Sequence, residues 1–246
     1  MGSTAILIPS LGRSQHVLRT IGNIDANTPE PHDQWWCVYG DEYIEKLNAA
    51  IHQRIGFHGR DSHIYYVVDD DTDDHRYVTR MNRLVRHILD HAVTGPYDYM
   101  FFGSDDVVHH PGWLTKAIEI MEGAEGAQVV VVNDLRNPNG TQALVRTSYL
   151  PLAVFDDPMS AFHPGYQHNF ADTEMFLTAQ KRGVIYRAMD SHVEHLHPLH
   201  GGANQRAWDK TYADAQSHWD EDAERFHKRM TAMTEALDEQ DRLPDM

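Results

Sequence analysis

The sequence predicts an α/β protein, on three observations. Short apolar runs rich in β-branched and aromatic residues alternate with segments whose apolar residues recur every three or four positions. Each run is three to five residues long, short enough for a strand buried in a sheet. The chain has 246 residues, and α/β folds commonly fill up to ~250 residues as one unit.

The apolar runs are Ala5–Ile8, Trp35–Tyr39, Ile64–Val68, Tyr99–Phe102, Val129–Val132, Ala143–Val145 and Val184–Tyr186, all carrying side chains that pack well on a pleated surface. Between them, Tyr77, Met81, Leu84, Val85, Ile88 and Leu89 follow the i, i+3, i+4, i+7 spacing of an amphipathic helix. Pro111 opens a second helix, where a missing N–H costs nothing, and Leu114, Ile118 and Met121 line one face before Gly123 ends it. Asp172 to Arg182 reads as a third, closed by Gly183. A last helix is carried by Trp208, Tyr212, Trp219, Phe226, Met230, Met233 and Leu237. Its other face is acidic, so it is expected to pack on the body. Asn139-Gly140 between Val129–Asn133 and Thr141–Val145 predicts a hairpin. A hairpin requires at least one antiparallel strand, so the sheet is mixed rather than purely parallel.

Composition narrows the function classes. With 41% apolar and 10% aromatic residues the chain has material for a core. No apolar run approaches the ~20 residues of a membrane span. No basic segment followed by an apolar stretch opens the sequence, and Cys37 is the single cysteine. A cytoplasmic, reducing setting is therefore expected. The balance of 21 Lys+Arg against 37 Asp+Glu gives a net charge of −16, which repels phosphate groups unless a basic stripe or bound cation intervenes. The 18 histidines make a metal ligand among them worth seeking.

Four clusters fall at predicted strand ends, where open α/β sheets bind ligands. Pro9-Ser10-Leu11-Gly12-Arg13 follows the first strand; its turn leaves backbone donors free, and Arg13 can meet a phosphate or a base. Gly103-Ser104-Asp105-Asp106 follows Tyr99–Phe102. Its adjacent carboxylates repel one another unless a cation or strong donors neutralise them, and such hard oxygen ligands suit Mg2+ or Mn2+ bridging to phosphates. His192, His195, His197 and His200 surround Glu194; His195 and His197, two apart on an extended segment, point the same way. Asp172 stands at a helix start, either as an N-cap or as a general base at a pocket edge.

Over roughly residues 4 to 200 these clusters, in this order, resemble a GT-A type glycosyltransferase similar to family 2. The resemblance implies a GT-A (Rossmann-like) mixed, mostly parallel sheet flanked by helices. It implies a catalytic domain over 1–200, with a nucleotide-sugar half to about 110 and an acceptor half over 111–200. Residues 201–246 then form a C-terminal helical extension. Ile8-Pro9-Ser10 with Arg13 matches the family's first loop, Asp41 the acidic residue that holds the donor's base, and Arg80-Met81-Asn82 the pair opening the next helix. Pro111 follows Asp106 by five residues, so Ser104-Asp105-Asp106 occupies the frame of the metal motif, with Ser104 in place of its first Asp. Asp106 is then the metal position, and Asp105 touches the ribose or the same ion. A late metal-binding histidine of the family matches His195 or His197, and Asp172 matches the base, with Ala171 where relatives carry Glu.

The implied reaction is metal-dependent transfer of a sugar from a UDP- or GDP-sugar to an acceptor hydroxyl, with inversion and with Asp172 as base. The acceptor is left open among protein, glycan, lipid and modified nucleic acid. Two other readings compete. Arg76, Arg80, Arg83 and His87 form a basic stripe that fits a DNA-modifying sugar transferase, or that simply neutralises the acidic run Asp69, Asp70, Asp71, Asp73 and Asp74. A metal-dependent hydrolase would instead use His195, His197 and Asp105. Trp208-Asp209, Tyr212 and residues 162–169 are candidate pocket walls, with helix packing the expected role of Trp208 and Tyr212.

Overall fold

The computed structural model describes residues 2–10, 13–55, 62–69, 76–91, 96–200 and 206–240. Leu11, Gly12, Asp70, Asp71, Asp73 and Asp74 of the sequence motifs lie outside the described residues, as does 201–205 at the expected domain boundary.

In chain order the elements are β1 (Thr4–Pro9), α1 (Val17–Asn27), β2 (His32–Val38), α2 (Asp41–Ile55), β3 (Ile64–Val68), α3 (Tyr77–His91), β4 (Tyr99–Phe102), β5 (Val107–His109), α4 (Trp113–Gly123), β6 (Val129–Asp134), β7 (Ala143–Arg146), α5 (Ala171–Lys181), β8 (Ile185–His195), α6 (Lys210–Ser217) and α7 (Trp219–Gln240). All eight strands join one sheet in the order β3-β2-β1-β4-β7-β6-β8-β5. The sheet is mixed: β3, β2, β1 and β4 pair in parallel and β6 runs parallel to β8, while β7 and β5 run against their neighbours.

Successive strand residues face opposite sides, and both sides are apolar. Ala5, Leu7, Val129 and Val131 face a core shared with Val78, Met81, Leu84, Val85 and Ile88 of α3 and Met175 and Ala179 of α5. Ile6, Ile8, Val130 and Val132 face Val17, Ile21 and Ile24 of α1, Leu47 of α2 and Leu114, Ile118 and Met121 of α4. Burying each of these larger side chains contributes about 1.5–3 kcal/mol relative to leaving it in water.

Three predicted elements take a different form. The β6–β7 hairpin exists, but residues 135–142 separate its strands. Gly140 lies at φ +72° within that loop, and a Cβ there would stand 2.4 Å from Val131 Cγ1, so both backbone geometry and space require glycine. The strand expected over Val184–Tyr186 continues to His195, because an irregularity lets it pair first with β6 and then with β5. The expected C-terminal helix is two, divided at His218. α7 docks on α5 through Arg229, which grips Glu174 at 2.7 and 2.8 Å and Asp156 at 2.7 and 3.0 Å. Among the described residues no helix is long and apolar enough to cross a membrane.

Candidate active site

The C-terminal ends of β1 and β4, the start of α3, the end of β8 and the faces of α5, α6 and α7 enclose a cavity of about 360 Å³. Pro9, Ser10, Arg13, Arg80, Asp105, Asp106, Asp172, His195 and His197 all line it.

Sheet register builds its centre. β5 pairs antiparallel with β8 so that Val107 faces His195, and Leu196 N–H donates to the Asp106 carbonyl at 2.9 Å. Two residues far apart in sequence are thereby neighbours, and His195 Nε2 lies 3.4 Å from Asp106 Oδ2. Asp106 also accepts from Tyr212 O–H at 2.8 Å and from Ser104 O–H at 2.5 Å.

The two carboxylates are nearly sealed from solvent, with Asp105 at 3% and Asp106 at 4% exposure. Arg13 Nη1 bridges them, at 3.1 Å from Asp105 Oδ1 and 3.3 Å from Asp106 Oδ2. Its other nitrogens bond Asp209 at 2.9 and 3.2 Å, and its guanidinium stacks 3.9 Å over the Tyr212 ring. Arg206 adds a second cation, with Nη1 3.6 Å from Asp105 Oδ1. These partners divide the pair. Burial and the neighbouring charge push the Asp105 carboxyl up. Burial also opposes ionisation of Asp106, but His195, Arg13 and the Ser104 hydroxyl outweigh it and hold this carboxyl well below the usual range. Burial works against the imidazolium of His195 too, yet Asp106, Asp134 and Asp172 raise it.

Ser10 hydrogen-bonds Asp105 and lies 3.1 Å from the Tyr43 hydroxyl, which in turn accepts from Arg13 N–H. Arg80, 1% exposed, donates through Nε to Asp69 Oδ2 at 2.8 Å and through Nη1 to the Ser10 carbonyl at 3.2 Å. Its Nη2 has no hydrogen-bond partner among the described residues, which leaves a guanidinium donor for an anion in the cavity it lines. Arg83 also pairs with Asp69. Arg80 and Arg83 thus neutralise Asp69, as one reading of the stripe expects, but with Arg80 buried the arginines of α3 do not form one exposed basic face.

Asp172 is half-buried in the first turn of α5, where its Oδ1 accepts from Thr173 N–H at 2.7 Å. Burial raises its carboxyl from the ordinary carboxylate value, against the Thr173 hydrogen bonds that lower it. The preceding Phe170 sits at φ +65°, a left-handed conformation costly for a bulky residue. Its ring is fixed between Trp219 at 4.8 Å and Phe226 at 5.2 Å, both on α7. The 167–169 segment before it is held by Asp222, whose carboxylate accepts the N–H groups of Gln167, His168 and Asn169 at 2.8–2.9 Å. His168, brought into the cavity wall by this grip, is pushed down to about 4 by burial, so it is a neutral imidazole at pH 7.

Three sequence expectations need correction in position. Asp41 is exposed at the start of α2 and is not among the cavity-lining residues. His197 lines the cavity but packs its ring on Tyr212 and His195, at 4.7 and 5.5 Å, with Nδ1 accepting from Leu199 N–H. Among the described residues no three His, Cys, Asp or Glu side chains gather as a metal cage. Trp208 is 49% exposed and outside the lining, whereas Tyr212 is a cavity wall. Sequence reasoning missed Tyr43, Arg206 and Asp222 as parts of this site, whereas His168 and Asp209 fall in the stretches read as pocket walls; Asp209 is in addition a helix N-cap bonded to Tyr212 N–H.

No protein-family model matches the chain, and no curated protein matches it in sequence. Solved structures do. A mannosyltransferase from Pyrobaculum calidifontis, in complex with GDP-Man and Mn2+, superposes with a TM-score of 0.58 at 10% identity, over 78% of this chain and 56% of its own. The chain has the GT-A fold. TarS 1–349 of S. aureus matches with a TM-score of 0.54 at 8% identity, over 79% of this chain and 60% of its own. This GT-A chain thus matches less than two thirds of the length of either structure.

The site fits a divalent cation. Asp106 and His195 offer a carboxylate oxygen and an imidazole nitrogen, 3.4 Å apart, to the same cavity. A cation that also binds substrate phosphates needs only one or two protein carboxylates, and the carboxylate is a ligand type that suits Mg2+ or Mn2+.

Proposed function

We propose that the protein is a metal-dependent glycosyltransferase that moves a sugar from a nucleoside-diphosphate sugar to an acceptor hydroxyl. The observation that carries this reading is the convergence of Asp106 and His195 at 3.4 Å in one cavity with Arg13, Arg80 and Asp172. The GT-A fold supports it, as does the GDP-Man and Mn2+ bound by the mannosyltransferase that shares this fold.

In this reading Asp106 and His195 hold the cation, Mn2+ or Mg2+, whose chemistry when bound is to offset charge on the diphosphate leaving group. Arg80 donates its free Nη2–H to a phosphate oxygen. Arg13 supplies further positive charge beside the carboxylates, and Pro9 and Ser10 shape the floor. Asp105, tied to Arg13 and Ser10, faces the donor's ribose. Asp172 takes the proton of the acceptor hydroxyl, whose oxygen bonds to the anomeric carbon as the carbon–oxygen bond to the diphosphate breaks. This single displacement inverts the carbon. The raised carboxyl of Asp172 suits that task, since a base works best with a pKa nearer the working pH.

The test is incubation with Mn2+ and a panel of UDP- and GDP-sugars, following release of nucleoside diphosphate. Slow hydrolysis of one donor, lost in Asp106→Ala, is the expected result. No release from any donor, together with no nucleotide binding in the presence of Mn2+, overturns the reading.

A further inference from the structure

His195 is oriented from behind by two residues outside the set assigned above. β6 runs parallel to β8 with Val132 opposite Ala188, and the register then jumps so that Asn133 faces His192 and Asp134 faces Val193. Met189, Asp190 and Ser191 are looped out by this jump. Continued without it, the register would set Asp134 opposite Asp190, five residues from His195. The irregularity instead brings Asp134 beside His195, where Oδ1 accepts the His195 N–H at 3.3 Å and Oδ2 lies 3.9 Å from Nδ1. The Asp134 side chain is fully buried. Thr141, from the loop leading into β7, completes the arrangement: Oγ1 is 3.2 Å from His195 Nδ1 and 3.4 Å from Asp134 Oδ2.

Hydrogen-bond capacity orders these three groups. Asp134 already accepts from Arg136 N–H at 3.0 Å and from His195 N–H, so it acts as an acceptor. The Thr141 hydroxyl has one proton, which it donates to Asp134. Its oxygen then has only lone pairs to offer and accepts from Nδ1–H. With one ring proton fixed on Nδ1, Nε2 is the nitrogen that faces Asp106, and the proton it shares with that carboxylate in the ion pair is the one a cation would displace.

We propose that Asp134 and Thr141 are positioning residues that hold the Nδ1–H tautomer and ring plane of His195, so that Nε2 presents its lone pair to a divalent cation shared with Asp106. An imidazole binds a metal through one nitrogen, and the partner of the other nitrogen selects which. The inference rests on the metal reading given above, and the experiment separates the two.

The readout is Mn2+ affinity, from the electron paramagnetic resonance signal of free Mn2+, with UDP or GDP present. Loss of such an outer partner typically weakens metal binding ~10- to 100-fold. Thr141→Val keeps shape and charge but removes the acceptor, so it is expected to weaken Mn2+ by this amount with an unchanged melting temperature, and Thr141→Ser is expected to restore it. Asp134→Asn is expected to weaken Mn2+ as well, but it also removes a charge. The uncharged Thr141 series therefore carries the test, including if the Asp134 variant does not fold. If wild type binds Mn2+, His195→Gln binds it more weakly and Thr141→Val matches wild type, the positioning role is overturned while the metal reading stands. If wild type binds no Mn2+ with either nucleotide, the metal reading fails and this inference with it.

Discussion

Arg80 gives the sharpest handle on the donor side of the cavity, because one guanidinium carries two separable roles. Nε and Nη1 hold Asp69 and the Ser10 carbonyl, while Nη2 is buried without a hydrogen-bond partner among the described residues. Removing one partner of a buried ion pair costs ~3–5 kcal/mol, and Arg83 remains on Asp69, so Arg80→Met is expected near the lower end, ~3 kcal/mol. At ~2–4 °C per kcal/mol for a chain this size, that is a fall in Tm of roughly 6–12 °C. Arg80→Lys keeps the charge but cannot offer the fork. Its stability loss is expected at ~1 kcal/mol, whereas the lost charge-assisted bond to phosphate costs ~1.5–3 kcal/mol. At 1.4 kcal/mol per tenfold, nucleotide affinity falls ~10- to 100-fold. Calorimetric titration with UDP and GDP in Mn2+, beside thermal melts, reads both numbers. An Arg80→Lys variant that melts near wild type and binds nucleotide equally well would refute the assignment of Nη2 to a phosphate.

Asp172→Asn is expected to leave donor binding intact and slow transfer ~10²–10⁴-fold, measured by single-turnover product formation. The same substitution tests linkage: a carboxyl raised in the folded state makes the fold less stable as pH rises through and above the carboxylate's ordinary range. Asp172→Asn should therefore melt higher than wild type at pH 7 and equal to it at the acid end, below the ordinary carboxylate pKa; a lower melting temperature at pH 7 would reject the burial argument. Wild-type transfer, in turn, should fall as pH drops through this raised value, a limb read from kcat against pH. Asp222→Ala strands three backbone N–H groups, each worth ~1–3 kcal/mol if left unpaired; partial access to water sets the expectation at ~2–4 kcal/mol by urea unfolding. Arg229→Met leaves Glu174, 2% exposed, without its cation and is expected to cost ~3–5 kcal/mol by the same method, and a loss under 1 kcal/mol would show that α7 is held otherwise.

The sequence foretold the parts of this fold that carry strong local periodicity. Buried runs such as Ala5–Ile8 and Tyr99–Phe102 and the face of α3 fall where expected, because burial on both sides of a sheet demands apolar runs and burial on one side of a helix demands the 3.6-residue repeat. α1 also has this repeat, in Val17, Ile21 and Ile24, but the polar residues between them masked it. β5 has three residues, too few to show a period. The start of β8 was legible as Val184–Tyr186, but its continuation to His195 was not, because its pairing with β6 is broken at Met189–Ser191, and that irregularity is what brings Asp134 beside His195. The long-range meetings in the cavity were hidden for a similar reason. Tyr212 reaches Asp106 across 106 residues of sequence, and nothing local to a tyrosine on a helix marks it as a cavity wall. Arg80 was the reverse case: its spacing placed it on a charged stripe, but Asp69 draws it into the interior.

Nucleotide affinity with and without Mn2+, compared among wild type, Asp106→Asn and His195→Gln, tests the central claim most directly. Mn2+ is expected to tighten UDP or GDP binding at least tenfold in wild type and to have little effect in either variant, with the metal-free affinities of all three similar. Mn2+ dependence that survives both substitutions would contradict the claim that these two side chains hold the cation.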